Sequence, residues 1–316
     1  MIEKRIGRRF SVVGAFAVGA VLVTVLAGCG SGGSSTPGAP GTGAPTAPKN
    51  CTQKVSDAAG LSRAVNAASP GDTICVDGDL SATRLEITKG GDAGQPVSIV
   101  GNKTPIKGVL VRADNVVIDG FVAERAVAPG AELRGNNITL SNTLITDPQG
   151  GDNDGIRFWG DGIKILHNTV VKTANTDGSH ADCMQTFATD EDHPASQNVM
   201  IDGNRCEDID NNCLIAEGPD SSAGDGSGDG ESKNITFSNN YCDSQASQAV
   251  MIDDVSGMVI TGNEIASKIN HAFAFQNNAT DAKIADNRIT GRVKYEVGMD
   301  EDSEENYQGP EVGGEP

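Results

Sequence analysis

Along most of the chain, two apolar residues one apart are followed, three places after the second, by Asn. The phrase reads Val97-Ser98-Ile99…Asn102, Ile163-Lys164-Ile165…Asn168 and Val199-Met200-Ile201…Asn204. It continues as Ile235-Thr236-Phe237…Asn240, Met258-Val259-Ile260…Asn263 and Ala282-Lys283-Ile284…Asn287. Copies at Val116-Val117-Ile118 and Ile138-Thr139-Leu140 put Phe121 and Thr143 at the Asn place. The copies begin about 19 to 36 residues apart, a period that marks stacked units, each burying its apolar face against its neighbours. Alternating apolar and polar positions rich in Val and Ile predict strands. Each repeat is too short for a crossover helix, so successive parallel strands must be joined by turns, one coil per repeat. Asn tolerates left-handed backbone at a recurring sharp turn, and stacked amides can hydrogen-bond along the column. Asn102, Asn168, Asn204, Asn240, Asn263 and Asn287 are therefore expected to form a structural ladder.

A second predicted strand precedes each Asn strand: Gly155 to Trp159, Cys183 to Phe187, Cys213 to Glu217, Ala249 to Asp253 and Ala272 to Gln276, with an earlier copy at Ala131 to Arg134. Side chains alternate faces. One set is consistently apolar and is assigned inward: Ile156, Phe158, Met184, Thr186, Leu214, Ala216, Val250, Ile252, Phe273 and Phe275. The outward set is then Glu132, Arg134, Arg157, Trp159, Gln185, Phe187, Glu217, Asp253 and Gln276. In this register Trp159, Phe187, Glu217 and Asp253 share one column, and Glu217 and Asp253 lie about 4.8 Å apart along the backbone. Two carboxylates so close can share a proton, chelate a cation such as calcium, or act as acid and base; on an acidic protein they can also be a solvated face.

The repeat matches the right-handed parallel β-helix of the pectate-lyase-like superfamily. The opening also resembles members of that group: Leu61, Val65 and Ala68 on a short helix, then Pro70-Gly71-Asp72-Thr73-Ile74-Cys75-Val76, then Gln95-Pro96-Val97-Ser98-Ile99. The expected fold is all-β, a right-handed parallel β-helix over residues 51–294, with a short N-terminal helix capping the first coil and blunting its open edge. The superfamily holds lyases, hydrolases, epimerases, adhesins and inert scaffolds, so the resemblance specifies fold more than activity. It does imply a polysaccharide groove on the outward face, over coils from about 130 to 255. Trp159, Phe187, Gln185, Arg134 and Glu132 are the expected substrate-binding residues there, the aromatic rings either facing sugars or packing under loops. His180, Asp182, Arg157, Glu217 and Asp253 are the catalytic candidates.

His180 sits in the densest polar cluster, Asn175-Thr176-Asp177-Gly178-Ser179-His180-Ala181-Asp182. It is the expected proton carrier, oriented by Asp182, with Asp154 one coil away. The first four of these residues resemble part of the polygalacturonase signature, and Asp253-Asp254 echoes its acidic pair. A lyase would use His180 as base, with Arg157 or a cation on Glu217 and Asp253 neutralising a uronate. A hydrolase would use the carboxyl groups. No Lys falls on the cleft face, which weighs against the lyase. A non-catalytic glycan-binding or adhesive module is the alternative. His167 and His271 are expected in turns or packing, and His193 as loop decoration. Asp225-Gly226-Ser227-Gly228-Asp229-Gly230 resembles the start of a calcium loop, but Thr236 stands where its last acidic ligand would be.

Cys183 and Cys213 occupy equivalent places in successive coils, as do Cys206 and Cys242. Strand spacing suits a disulfide, so Cys183–Cys213 and Cys206–Cys242 are expected, with stacked free thiols as the alternative. Cys51–Cys75 would clip the cap, and an exported protein keeps such bonds.

Export follows from residues 1–28: a basic start, an apolar run and small residues, the pattern of a secretory signal. Leu26-Ala27-Gly28-Cys29 resembles a bacterial lipobox, which implies lipidation of Cys29; an ordinary signal or an uncleaved anchor is the other reading. Residues 29–50 are mostly Gly, Ser, Pro, Thr and Ala, a flexible tether. Residues 295–316 are acidic and without apolar period, and are expected to be a disordered tail. The expected location is the extracellular face of the cell membrane, lipid-anchored. The net charge is −19, and removing the leader takes away four basic residues and one acidic one. Nucleic acid is excluded as a partner by that surface. An acidic glycan needs locally placed Arg or a bridging cation. The chain is expected to be a monomer.

Overall fold

The structure, a computed structural model, describes residues 50–176, 178–221 and 229–316. Residues 1–49, including the expected lipid site Cys29, lie outside the described residues, as do Asp177 and the start of the Gly-rich loop at 222–228.

Every ladder between strands is parallel, and each strand pairs with its counterpart one coil earlier and one coil later. The chain is therefore the expected right-handed parallel β-helix. A full coil has three strands rather than two. In one coil these are Met184–Phe187, Gln197–Asp202 and Arg205–Ile209; in the next, Leu214–Glu217, Ser232–Ser238 and Tyr241–Ser244. The third strand lies just past the Asn turn. Its sequence mark is an apolar residue two places after each Asn: Val170, Cys206, Cys242 and Ile265, all buried.

All ten residues assigned inward on the strand before the Asn strand are buried. They join the Asn-strand residues in one continuous apolar interior along the solenoid axis. The helix Ala58–Ala67 closes the first end, burying Leu61, Ala64 and Val65; Asp57 caps it by accepting a hydrogen bond from Gly60 N–H at 2.7 Å.

The asparagine ladder exists, but it begins later than the repeat suggests and its geometry differs. Asn204 is representative. Its Oδ1 accepts from the backbone N–H of Asn168 at 2.8 Å and from Asn168 Nδ2 at 3.1 Å, while its Nδ2 donates to Ile165 O at 2.8 Å. Asn240, Asn263 and Asn287 repeat this towards the C-terminal end. The left-handed backbone falls one residue earlier, at His167, Gly203, Asn239, Gly262 and Asp286. Asn102 is not a rung. It is exposed, and both it and Lys103 adopt positive φ in a bulge that shifts the register. Thr104 takes its place in the column, paired with Phe121.

Two expectations fail. The buried cysteines pair as Cys183–Cys206 and Cys213–Cys242, with Cα separations of 5.9 Å in each, and only Cys51–Cys75 forms as expected. Cys206 and Cys242 are register partners as read from the sequence. Stacked inward side chains, however, point side by side into the interior rather than at each other. A disulfide needs converging Cβ atoms, and those meet across a corner of one coil, between its first and third strands. Residues 295–316 are also ordered. Arg292–Met299 pairs with Lys268–Gln276, burying Val297 and Met299. The chain then returns, Gln308 bridging to Lys283 and Val312 to Val297, with Tyr307 and Val312 packed on the core. Alternation at Val293, Tyr295, Val297 and Met299 is the period, interleaved with Lys294, Glu296 and Gly298 and followed at once by the acidic run from Asp300.

Replacing Asn204 with Ala strands the buried N–H of Asn168 and the carbonyl of Ile165. The expected loss is about 2–4 kcal/mol of unfolding free energy, measured by urea denaturation. Asn102→Gly, at the exposed bulge, is expected to stay within about 0.5 kcal/mol.

Candidate functional site

The outer face of the sheet built from strands such as Ile156–Trp159 and Leu214–Glu217 carries the polar columns. Arg134 pairs with Trp159, Phe187 with Glu217, Glu217 with Asp253 and Asp253 with Gln276. The register read from the sequence holds, and these residues form one line along the solenoid.

They are not, however, spread open to solvent. Trp159 is only 1% exposed. Its indole N–H donates to Phe187 O at 2.7 Å, and Phe187 and His193 pack against its ring at centroid distances of 5.1 and 4.7 Å. The loop that follows Phe187 folds back over the pair, fixed by His193 Nδ1 against Asp190 at 2.9 Å. Trp159 is thus no open sugar platform, and His193 is a structural clasp rather than decoration. What stays accessible is one edge: a cleft of about 640 Å³ walled by Arg112, Arg134, Asn136, Trp159, Glu191 and Asp192. Glu132 organises its basic side. The carboxylate lies 2.7 Å from Arg134, 3.4 Å from Arg84 and 4.0 Å from Arg112. Three guanidiniums gather on one buried carboxylate here, while Asp114, Glu191 and Asp192 on the cleft wall offset their charge.

A second column, just before these strands, is a carboxyl counterpart of the asparagine ladder. Asp154 Oδ1 accepts from Asp182 N–H at 2.8 Å, and Asp182 Oδ1 accepts from Asn212 N–H at 2.8 Å and Asn211 Nδ2 at 2.9 Å. Asp182 is therefore a rung. Its carboxyl makes no hydrogen bond to His180, whose side chain is exposed, so the expected His180–Asp182 dyad is not assembled. Arg157 is likewise engaged, its guanidinium 2.5 Å from Asp154 and 2.6 Å from Asp152.

Burial sets the protonation of this face. It pushes Asp154 up to about 6, against the opposing pull of Arg157. It raises Asp182 well above the usual carboxylate range, with the Asp154 charge adding to it. Glu217 is pushed up to about 7, first by burial and then by the neighbouring Asp253. Asp253 itself accepts from Gln276 Nε2 and Asn277 Nδ2, both at 2.7 Å. The chain turns sharply after Glu217: a Cβ on Gly218 would lie 1.9 Å from Asp254 O, so only glycine passes there. That turn lays the following loop on the next coil, where Asp220 N–H donates to Asp254 at 2.6 Å.

Calcium on Glu217 and Asp253 finds little support in this donor set. Calcium takes six to eight oxygens. Both Asp253 oxygens already hold amide donors, and among the described residues no three His, Cys, Asp or Glu side chains converge. No step is therefore routed through a metal. What the arrangement offers is a carboxyl group poised to exchange protons near neutrality, three coils along the column from Arg134.

No protein-family model and no curated protein sequence matches the chain. Solved structures do. An alginate lyase from Paenibacillus sp. str. FPU-7 aligns with a TM-score of 0.54 at 16% identity, over 78% of this chain and 99% of that one. A single-residue mutant of the PL6 family alginate lyase AlyGC aligns with a TM-score of 0.60 at 16% identity, over 81% of this chain but only 42% of its own length. The likeness is one of fold.

The raised carboxyls fix the direction of pH dependence. Glu217 and Asp154 bind protons more tightly folded than unfolded, so their contribution is full below the ordinary carboxylate range and is lost as pH rises through about 6 to 7. The urea midpoint is expected to fall between about pH 5 and about pH 8, and Glu217→Gln to reduce that fall. A wild-type midpoint that rises over this interval contradicts the assignment.

Proposed function

We propose that the outer face is the track of a polysaccharide and that Glu217, 6% exposed, acts on it, with the buried Asp253 beside it holding up its proton affinity. The observation that carries this reading is the common register that pairs Arg134 with Trp159 and Phe187 with Glu217 and then Asp253, the two groups joined in step through Arg157 and Gln185. It sets the arginines of the cleft and the proton-exchanging Glu217 on one line, Arg134 three strand spacings, roughly 14 Å, from Glu217. Arg112 and Arg134 suit carboxylates on the glycan. Glu217, protonated up to about 7, gives its proton to the glycosidic oxygen as that bond breaks and solvent water adds to the anomeric carbon, leaving two new hydroxyl ends. The parallel β-helix shared with two alginate lyases supports a carbohydrate-active reading by fold analogy. A non-catalytic glycan-binding module is the second reading; it is favoured by the two amide donors that already occupy Asp253.

Anchoring at the extracellular face through a lipid on Cys29 is part of the proposal and rests on the leader sequence.

A panel of uronate and neutral glycans tests the activity. Unsaturated products mark elimination, new reducing ends alone mark hydrolysis, and binding without either assigns the module. Glu217→Gln is expected to lower turnover about 100-fold or more, and wild-type activity to decline as pH rises through about 7, as the donated proton is lost. Unchanged turnover in Glu217→Gln removes the residue from the mechanism. Cys29→Ser is expected to move the exported chain from the membrane fraction to the soluble one; retention in the membrane overturns the anchor.

A further inference from the structure

At the corner leading into the outer sheet, the last two coils carry three cations. Lys268 and Arg292 are register partners on adjacent strands. Lys294 follows two residues on, on the same side of its strand. All three are exposed. None takes part in an ion pair among the described residues, where Arg84, Arg134, Arg157, Arg205, Lys233 and Arg288 all do. They wall two adjoining clefts. One, of about 520 Å³, adds the amides of Gln245 and Asn270 and the hydroxyl of Ser247. The other, of about 730 Å³, shares Gln245, Lys268 and Arg292, and only Asp243 on its wall is acidic.

Like charges directly opposite each other on neighbouring strands repel. Here that cost is kept in a chain with 43 acidic and 24 basic side chains, where a neutralising carboxylate would be easy to place. We infer that this corner is an anion-binding groove that takes the sulfate or carboxylate groups of an acidic glycan. Lys268 and Arg292 follow each other along the solenoid axis at about 4.8 Å, so a linear polyanion lying along the axis meets both. A chain of anionic groups is favoured over a single small anion because the cations stand in solvent, where one contact is weak and affinity comes from several made together. Asn270 and Ser247 supply neutral hydrogen bonds to sugar hydroxyls, while the Gln245 amide is held by Asp210 at 3.1 Å. The groove is distinct from the carboxyl pair: Lys268 and Gln276, the residue that binds Asp253, stand at opposite ends of the strand Lys268–Gln276. It would hold glycan whether or not the carboxyl pair is catalytic.

The test uses the whole chain, with dextran sulfate and uncharged dextran as probes, by affinity electrophoresis at low and high salt. Dextran sulfate is expected to retard the protein, dextran is not, and salt is expected to weaken the effect. The double variant Lys268→Gln/Arg292→Gln is expected to lose about tenfold in affinity or more. Its melting temperature is expected to hold or rise, since a repulsion has been removed. Lys164→Gln/Lys283→Gln removes the same charge from exposed sites on the other sheet and is expected to bind as wild type. Equal retardation by both polymers, or equal loss in both double variants, overturns the groove. So does binding to vesicles containing phosphatidylglycerol without binding to dextran sulfate, which would assign the corner to a membrane surface. Should the first double variant not fold, Lys294→Gln carries the same expectation at smaller size.

Discussion

Everything in this molecule depends on what the turns do with their backbone. A solenoid has as many corners as coils have sides, and every corner tucks amide groups away from water, where an unpaired N–H is costly. The chain solves this by having a side chain in one coil satisfy the backbone of an adjoining coil. Asn204 does so for Asn168, Asn240 for Asn204, and Asn212 for Gln248. On the polar column the same task falls to Asp154 and Asp182. Because each rung is read by its neighbour, register errors cannot spread silently. Residues far apart in sequence are thereby held as neighbours along one wall.

The functional face follows from that constraint. Once the coils are in register, whatever stands at one strand position accumulates as a column. The loops then decide how much of it meets water. The loop after Phe187 buries Trp159 beneath His193, and the turn at Gly218 sets Asp220 against Asp254. Burial, not any specific partner, is the first cause of the raised proton affinity at Asp154, Asp182 and Glu217. The chemistry available at this surface is thus set by loop cover acting on positions chosen by the ladder.

The repeat made the fold legible because it is written in strands, where burial alternates with period two. The inward set was readable for the same reason, as was the column that joins Trp159 to Asp253. What escaped was whatever depends on direction rather than position. Cys183 and Cys213 are equivalent, as read, yet a side chain's heading decides its partner, and the bonds run to Cys206 and Cys242 instead. The strand after each Asn was short and marked by one apolar residue, too little to stand out. The final strand was masked by the acidic run that follows it, although Val297 and Met299 kept the period. Whether an aromatic ring faces a sugar or a loop is decided by segments without period, and so Trp159 and His193 could not be placed from the sequence.

The disulfides Cys183–Cys206 and Cys213–Cys242 each close within a single coil, with sequence separations of 23 and 29 residues. Neither ties one coil to the next. Under a pull along the axis, coils beyond the Cys51–Cys75 clip are resisted by hydrogen bonds, ion pairs and apolar contacts, which give way one layer at a time. The two cross-linked coils would come away as closed rings, their enclosed chain withheld from extension. Mechanical strength in this protein is therefore directional: stiff around each ring, yielding between them.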